Sequence, residues 1–300
     1  MELGFAIPAQ APGLTAADVL RAAERVERHG LDSIWVLDRL VYDSFSPLVT
    51  LAAVAAVTAR PRLGTAVLVA PMYNPFHLAK DAATVDQLSH GRLTLGLGIG
   101  VHAEDFAAAG VPYRARARRL EETLVLLRQA WAGQPIRHHG RIFEADLPAM
   151  GPAPSRPSGI PIWMGAYAEP AIDRAARLAD GYIAGARGAT WARRAVASFR
   201  RAAVRHGRDP AAVPTACLIY AALGPDVQAM AAQMAGYFEA FYGRVIFDPA
   251  KEGLVGPTDA AAARLHEYDD IGLDLVIVVP TLRHPEQVDR LADAVAAYRG

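Results

Sequence analysis

Three glycines on alternate positions, Gly96, Gly98 and Gly100, close the strand-like run of GRLTLGLGIGVHAED (91–105). Glycines at a strand end leave room for a ligand or for close backbone approach. A dinucleotide site needs G-x-G-x-x-G opening a helix, with an acidic ribose partner about 20 residues on. Here the spacing is G-x-G-x-G, Val101 holds the place of the third glycine, and VHAEDFAAAGVPYRAR intervenes before the next helical run. That argues against a Rossmann site and leaves another cofactor cradle or a plain bend. Metal and nucleophile chemistry fail on spacing. HEYDD (266–270) follows the zincin pattern until Asp270 stands where a second histidine is required, and His138 and His139 are adjacent, so an extended chain points them apart. There is no G-x-S-x-G, P-loop or cysteine–histidine signature. No metal site is expected.

The glycines need elements to position them. Three hundred residues, 52% of them apolar, are ample for a large core. Thirty-one basic side chains balance 31 acidic ones, so no net field draws the chain to nucleic acid or an acidic membrane. The longest apolar stretch, LVTLAAVAAVTA, is too short to span a bilayer, and the start, MELGFAIPAQAP, does not read as a signal peptide. Cys217 is the single cysteine, which excludes an internal disulfide and favours a reducing compartment. These features set the expectation of a cytoplasmic protein.

Strand-like and helix-like runs alternate along the chain. Strands are expected at 3–8, 33–37, 62–70, 92–98, 161–165, 181–185, 215–223 and 273–279, each followed by a helical segment. The runs are continuously apolar, as in parallel sheet buried on both faces. Eight βα units in this length predict one α/β domain over 1–300, a (β/α)8 TIM barrel, with a doubly wound sheet as the alternative. Residues 132–160 break the rhythm with GPAPSRPSGIP and read as an excursion between the fourth helix and fifth strand, carrying a hairpin around Gly140. In a barrel the strand C-termini face the site.

Several stretches in order resemble the bacterial-luciferase-like flavin-dependent oxidoreductases: GLDSIWVLDRL (30–40), RLGTAVLVAPMYNPFHLAKDAATVDQLSHGRLTLGLGIG (62–100), FAAAGVPYRARARRLEETLVLLRQAW (106–131) and PIWMGAYAEPAIDRAARLADGYIAG (161–185). The resemblance implies a barrel binding FMN, or the deazaflavin coenzyme F-420, across its mouth, with Gly98 and Gly100 clearing space beside the ring. It implies a two-component monooxygenase that takes reduced FMN from a separate flavin reductase and uses O2 on a small organic substrate. The alternatives are deazaflavin-dependent hydride transfer and a flavin-binding barrel without turnover. A homodimer through the early helices is also implied, with the small-residue helix around LAAVAAVTA as the contact.

The resemblance also sets the site residues. Asp38 and Arg39 stand where many relatives carry Asp-His, the histidine having a proton-transfer role. Arginine stays protonated and is a poor acid or base, so Arg39 reads as a clamp on an anionic group or as a rim ion pair with Asp38. As a rim side chain it would be removable at little cost in stability. Relatives place a non-proline cis peptide at the bond matching Ala66–Val67, against the ring. The N–H groups of Gly165, Ala166 and Tyr167 precede a helix N-terminus, which suits a phosphate, and Gly185 and Ala186, with Arg187 nearby, complete that cradle. Luciferase's phosphate-binding arginine is replaced by Ile99. Tyr42, His102 and Glu104 lie on mouth loops, with His102 the third catalytic candidate. Arg116 and Glu122 read as architecture at a helix start.

Overall fold

The computed structural model describes residues 1–7 and 13–300. Its strands are β1 Glu2–Ala6, β2 Ser33–Val36, β3 Arg62–Thr65, β4 Leu68–Val69, β5 Leu93–Gly98, β6 Ile136–His139, β7 Glu144–Leu147, β8 Ile162–Ala166, β9 Gly181–Ala184, β10 Thr215–Leu223, β11 Leu254–Gly256 and β12 Leu275–Pro280. Parallel pairing runs β12–β1–β2–β3–β5–β8–β9–β10 and returns to β12, which closes an eight-stranded barrel with helices between the strands. This is the expected (β/α)8 architecture. Proline 8, at the end of the expected first strand, lies outside the described residues.

Apolar side chains on the outer faces of the strands pack under the helices, as with Ile34, Leu63 and Leu95 against Val54, Leu78 and Leu124. The barrel interior is filled by two tryptophans, Trp35 and Trp163, whose rings lie 5.9 Å apart and tilted. Each occupies space that a glycine on a neighbouring strand leaves open: a Cβ on Gly64 would strike the Trp35 ring, and one on Gly181 the Trp163 ring, at 2.5 Å. The indole N–H of Trp35 donates to Ser33 Oγ at 2.8 Å, so this large side chain is buried without an orphaned donor. The pair forms a packed floor, and any ligand space must lie above it.

Two features of the sheet shape that space. The third barrel strand is interrupted by a cis peptide at Ala66–Val67, as expected, after which β4 pairs with β5. At the other side, β9 pairs with β10 only over Thr215–Cys217, and the upper part of β10 pairs with β11 instead. The barrel is therefore splayed at its mouth between Gly185 and Leu218. β11 falls in a stretch read from sequence as helix and connection, because three residues are too few to register a period. The segment after β5, expected as a loop, likewise carries a helix, Ala103–Ala108.

The excursion is a two-stranded antiparallel hairpin, β6 with β7, in a sheet separate from the barrel. Its turn is held by Glu122, which accepts from the N–H groups of Arg141, Ile142 and Phe143 at 2.9–3.2 Å. Glu122, in the second turn of helix Arg116–Trp131, is thus the anchor of the hairpin, a different role from the helix-start architecture expected for it. These donors and the nearby His138 hold its carboxyl below the usual range despite burial. Hydrogen bonds to a charged group contribute about 1.5–3 kcal/mol. Glu122→Ala should therefore cost about 2 kcal/mol and speed amide exchange at 141–143, while Glu122→Gln, which keeps an acceptor, should cost less. Unchanged exchange at those amides would remove the anchor.

Candidate functional site

A cavity of about 270 Å³ opens at the C-terminal ends of the strands. Its walls come from Asp38 and Arg39 after β2, Ala66 and Val67 after β3, Gly98 to His102 at and after the end of β5, and Gly165 to Ala168 at and after the end of β8. Gly185 after β9, Leu218 and Tyr220 of β10, and Phe241 and Tyr242 at the end of helix Val227–Tyr242 complete it. Of the residues nominated from sequence, Asp38, Arg39, His102, Ala66, Val67, Gly98, Gly100, Gly165, Ala166, Tyr167 and Gly185 all line this one space. Ala186 is buried behind the wall, and Arg187 lies outside it with its guanidinium 5.9 Å over the Tyr167 ring. Sequence reasoning missed Asp105, Tyr220, Phe241 and Tyr242. Only Tyr220 left a signal, a polar tip near the C-terminal end of a barrel strand.

The glycines turn out to make room for protein. A Cβ on Gly98 would lie 2.5 Å from Val67 Cγ2, and one on Gly165 would lie 2.8 Å from Val67 Cγ1. A Cβ on Gly96 would overlap the Thr65 carbonyl, and one on Gly100 would meet Val69 and Phe106. The alternating glycines therefore let residues 65–69 lie directly on β5, with Val67 wedged between two strands at the cavity floor. Gly185 does the same for the Tyr167 ring, which stays 47% exposed.

Asp38 is 8% exposed. Its Oδ2 accepts from the Val69 N–H at 2.9 Å and the Tyr73 hydroxyl at 3.2 Å, while Oδ1 makes no hydrogen bond among the described residues. Burial pushes its carboxyl up to about 6, and the Asp105 charge adds to this, against the two donors and Arg39.

Arg39 does not pair with Asp38 and is not a rim residue. Its side chain is 6% exposed, with Nε donating to Asp105 Oδ2 at 2.8 Å and Nη2 to Glu104 at 3.0 Å. Nη1 donates to the Phe241 carbonyl at 2.8 Å and to His102 Nε2 at 3.2 Å, and Nη2 also reaches the Val41 carbonyl at 3.5 Å. All five N–H groups thus have protein acceptors. Asp105, 2% exposed, accepts at its other oxygen from the Val41 N–H at 2.8 Å. The short helix absent from the sequence reading is what delivers Asp105 to this contact. Because Arg39 can only donate, His102 Nε2 must accept, leaving the proton on Nδ1, which faces Glu104 at 3.4 Å. Burial and the Arg39 charge keep the imidazole pKa below its usual value, so His102 stands neutral in the wall.

At the far end the cavity reaches Ala168, which caps helix Glu169–Leu178 without a side-chain acceptor. Pro170 has no N–H and Ala171 and Ile172 both donate to the Ala168 carbonyl at 2.9 Å, so of the first turn only the Glu169 N–H is left for solvent or a ligand. Glu169 in the same turn is bonded to Ser198 at 2.6 Å.

A closed parallel barrel with its cavity at the C-terminal mouth, walled by apolar groups and glycine-backed loops, defines a small-molecule site of the TIM-barrel class. The chain belongs to the luciferase-like monooxygenase family, whose model matches residues 1–275. It is 33% identical over 214 residues to the F420-dependent hydroxymycolic acid dehydrogenase of Mycobacterium tuberculosis, a match covering 68% of this chain and 58% of that protein. Matches to other mycobacterial relatives span about half their length. Among solved structures, monooxygenase RslO1 from Streptomyces bottropensis superposes with a TM-score of 0.85 at 22% identity over the whole of both chains. An F420-dependent secondary alcohol dehydrogenase in complex with an F420-acetone adduct superposes with a TM-score of 0.87 at 18% identity, covering 100% of this chain and 99% of that one. At such identities the structural likeness is one of fold. Among the described residues, no helix is long and apolar enough to cross a membrane.

Proposed function

We propose that the cavity holds the ring of a flavin-type cofactor, the deazaflavin F420 in the leading reading, and that the protein transfers hydride between it and a small apolar substrate. The observation that carries this is Asp38, a carboxyl in the cavity wall with one oxygen free of partners and its pKa raised to about 6. Hydride exchange at a carbinol or carbonyl carbon needs a proton held nearby, and a group titrating near neutrality holds or releases one readily. The mycobacterial relative named as an F420-dependent dehydrogenase supports the same reading.

The residues present fit such a group. The walls are apolar, glycines bring backbone close to the floor, and the cavity ends at the start of helix Glu169–Leu178, where the Glu169 N–H, with the loop of Gly165, Ala166 and Tyr167, would meet an anionic tail. When bound, the deazaflavin supplies a two-electron hydride carrier. The protein's own contribution is the proton at Asp38 Oδ1, a neutral His102 held by Arg39, and walls that exclude water. The family's homodimer is part of the proposal, supported by Val49 of helix Pro47–Val57, an apolar side chain left 70% exposed.

One observation favours a second reading, FMN-dependent monooxygenation with a separate reductase. The histidine of relatives is Arg39 here, and its paired guanidinium supplies no acid or base at that position. Equilibrium titration separates the two. F420 is expected to bind the purified chain at least about tenfold more tightly than FMN, a difference of about 1.4 kcal/mol. Tighter FMN binding would overturn the leading reading in favour of the second, and binding of neither would remove both.

A further inference from the structure

The cavity contains a pair of phenols that the reading above leaves unused. Tyr220, 2% exposed on β10, and Tyr242, at the end of helix Val227–Tyr242, both line it, with their hydroxyl oxygens 2.5 Å apart. Two hydroxyls carry two protons. Their mutual bond uses one, whichever residue donates it, and neither oxygen has another hydrogen-bond partner among the described residues. One O–H is therefore left over in a cavity whose lining includes Ala66, Val67 and Phe241. The other strong donor of the wall, Arg39, has every N–H committed to protein acceptors. Burial raises both phenol pKa values, so the pair keeps its protons throughout the physiological range.

We propose that Tyr220 and Tyr242 form an oxygen-recognition site, donating one O–H to a neutral carbonyl or hydroxyl oxygen on an otherwise apolar substrate. The cavity favours such a molecule over an anion, because Arg39, the one cation of its wall among the described residues, has its N–H groups committed to protein acceptors and Asp38 would repel a negative charge. A buried donor without an acceptor is costly, so a ligand that lacks the oxygen is disfavoured. This inference rests on the reading that a substrate shares the cavity with a redox cofactor.

The test compares cyclohexanone with methylenecyclohexane, matched in shape but without the acceptor oxygen, by ligand-observed NMR titration of the full chain with and without F420. Wild type should prefer the ketone about five- to tenfold, as expected for one hydrogen bond made rather than left unmade. The bound carbonyl stretch should move to lower frequency. Tyr220→Phe and Tyr242→Phe each leave one hydroxyl with its proton, so each should lose only part of the preference. The double variant should lose the preference and the frequency shift. Removing both partners of a buried bond with isosteres is nearly neutral for folding, which denaturation of the variant checks. No preference in wild type, or a preference that survives in the double variant, overturns the proposal. An equal loss of F420 affinity in the double variant would assign the donor to the cofactor's carbonyls and overturn the substrate role. Failure of F420 to bind wild type, with the ketone preference intact, would instead sink the cofactor reading and leave this site standing.

Discussion

Replacing Arg39 with alanine is expected to destabilise the fold by about 3–5 kcal/mol, the range for removing one partner of a buried ion pair. Asp105 would be left 2% exposed, charged, and with only the Val41 N–H to satisfy it. His102 Nε2 and the Phe241 carbonyl would each lose their donor, and the Phe241 ring, 5.2 Å from the guanidinium, would lose a packed neighbour. Arg39→Lys keeps the charge but cannot reach Asp105, Glu104 and the Phe241 carbonyl together, so it should recover only part of the loss. Chemical denaturation of Arg39→Ala, Asp105→Asn and the double variant would measure the coupling. A cost under about 1 kcal/mol for Arg39→Ala would mean that the network contributes no more than a surface pair. The same experiment bears on the site, because Arg39 fixes the His102 tautomer and the Phe241–Tyr242 wall in one piece.

From sequence alone Arg39 looked removable at little cost, and the reason is instructive. Its partners lie 65 and 66 residues away, on a six-residue helix whose AEDFAA composition gives no periodic signal. What sequence carries well is the long-range frame. Eight apolar runs and the helices between them are legible because burial on both faces removes polar residues from the strands. Residues near the ends of those strands, such as Gly98, Gly165 and Gly185, could be placed at the mouth for the same reason. What the glycines accommodate was not legible, since Val67 and Tyr167 reach them only through the loop paths. The cis bond at Ala66–Val67 came from family resemblance, and nothing in the residue types there would have indicated it. Tyr242 enters the cavity from a helix end, where chain geometry and not composition decides which side chain turns inward.

Asp38→Asn is expected to make the protein more stable at neutral pH while abolishing turnover under the proposed function. The folded carboxyl titrates at about 6 against an ordinary value of 3.8, with burial as the leading cause. The native state therefore binds its proton more tightly than the unfolded chain. Stability from this group is fully present below about pH 4, falls as the unfolded carboxyl ionises, and levels off once the folded one ionises above about pH 6. A shift of this size corresponds to about 3 kcal/mol. The asparagine carbonyl can accept from the Val69 N–H and the Tyr73 hydroxyl as Oδ2 does, and the amide carries no charge to desolvate. Wild type and variant should thus be similar near pH 4 and diverge by up to about 3 kcal/mol at pH 7, with the variant the more stable. The gain would be a measure of the energy invested in keeping a titratable carboxyl in the cavity, the usual trade of stability for function at an active site. Denaturation curves at both pH values, with F420 titration and turnover of the same variant, separate the outcomes. A variant that binds F420 normally, gains stability and loses turnover supports Asp38 as the proton-holding group. Equal stability at pH 7 would mean that the carboxyl is not raised, and retained turnover would transfer the proton role to another residue.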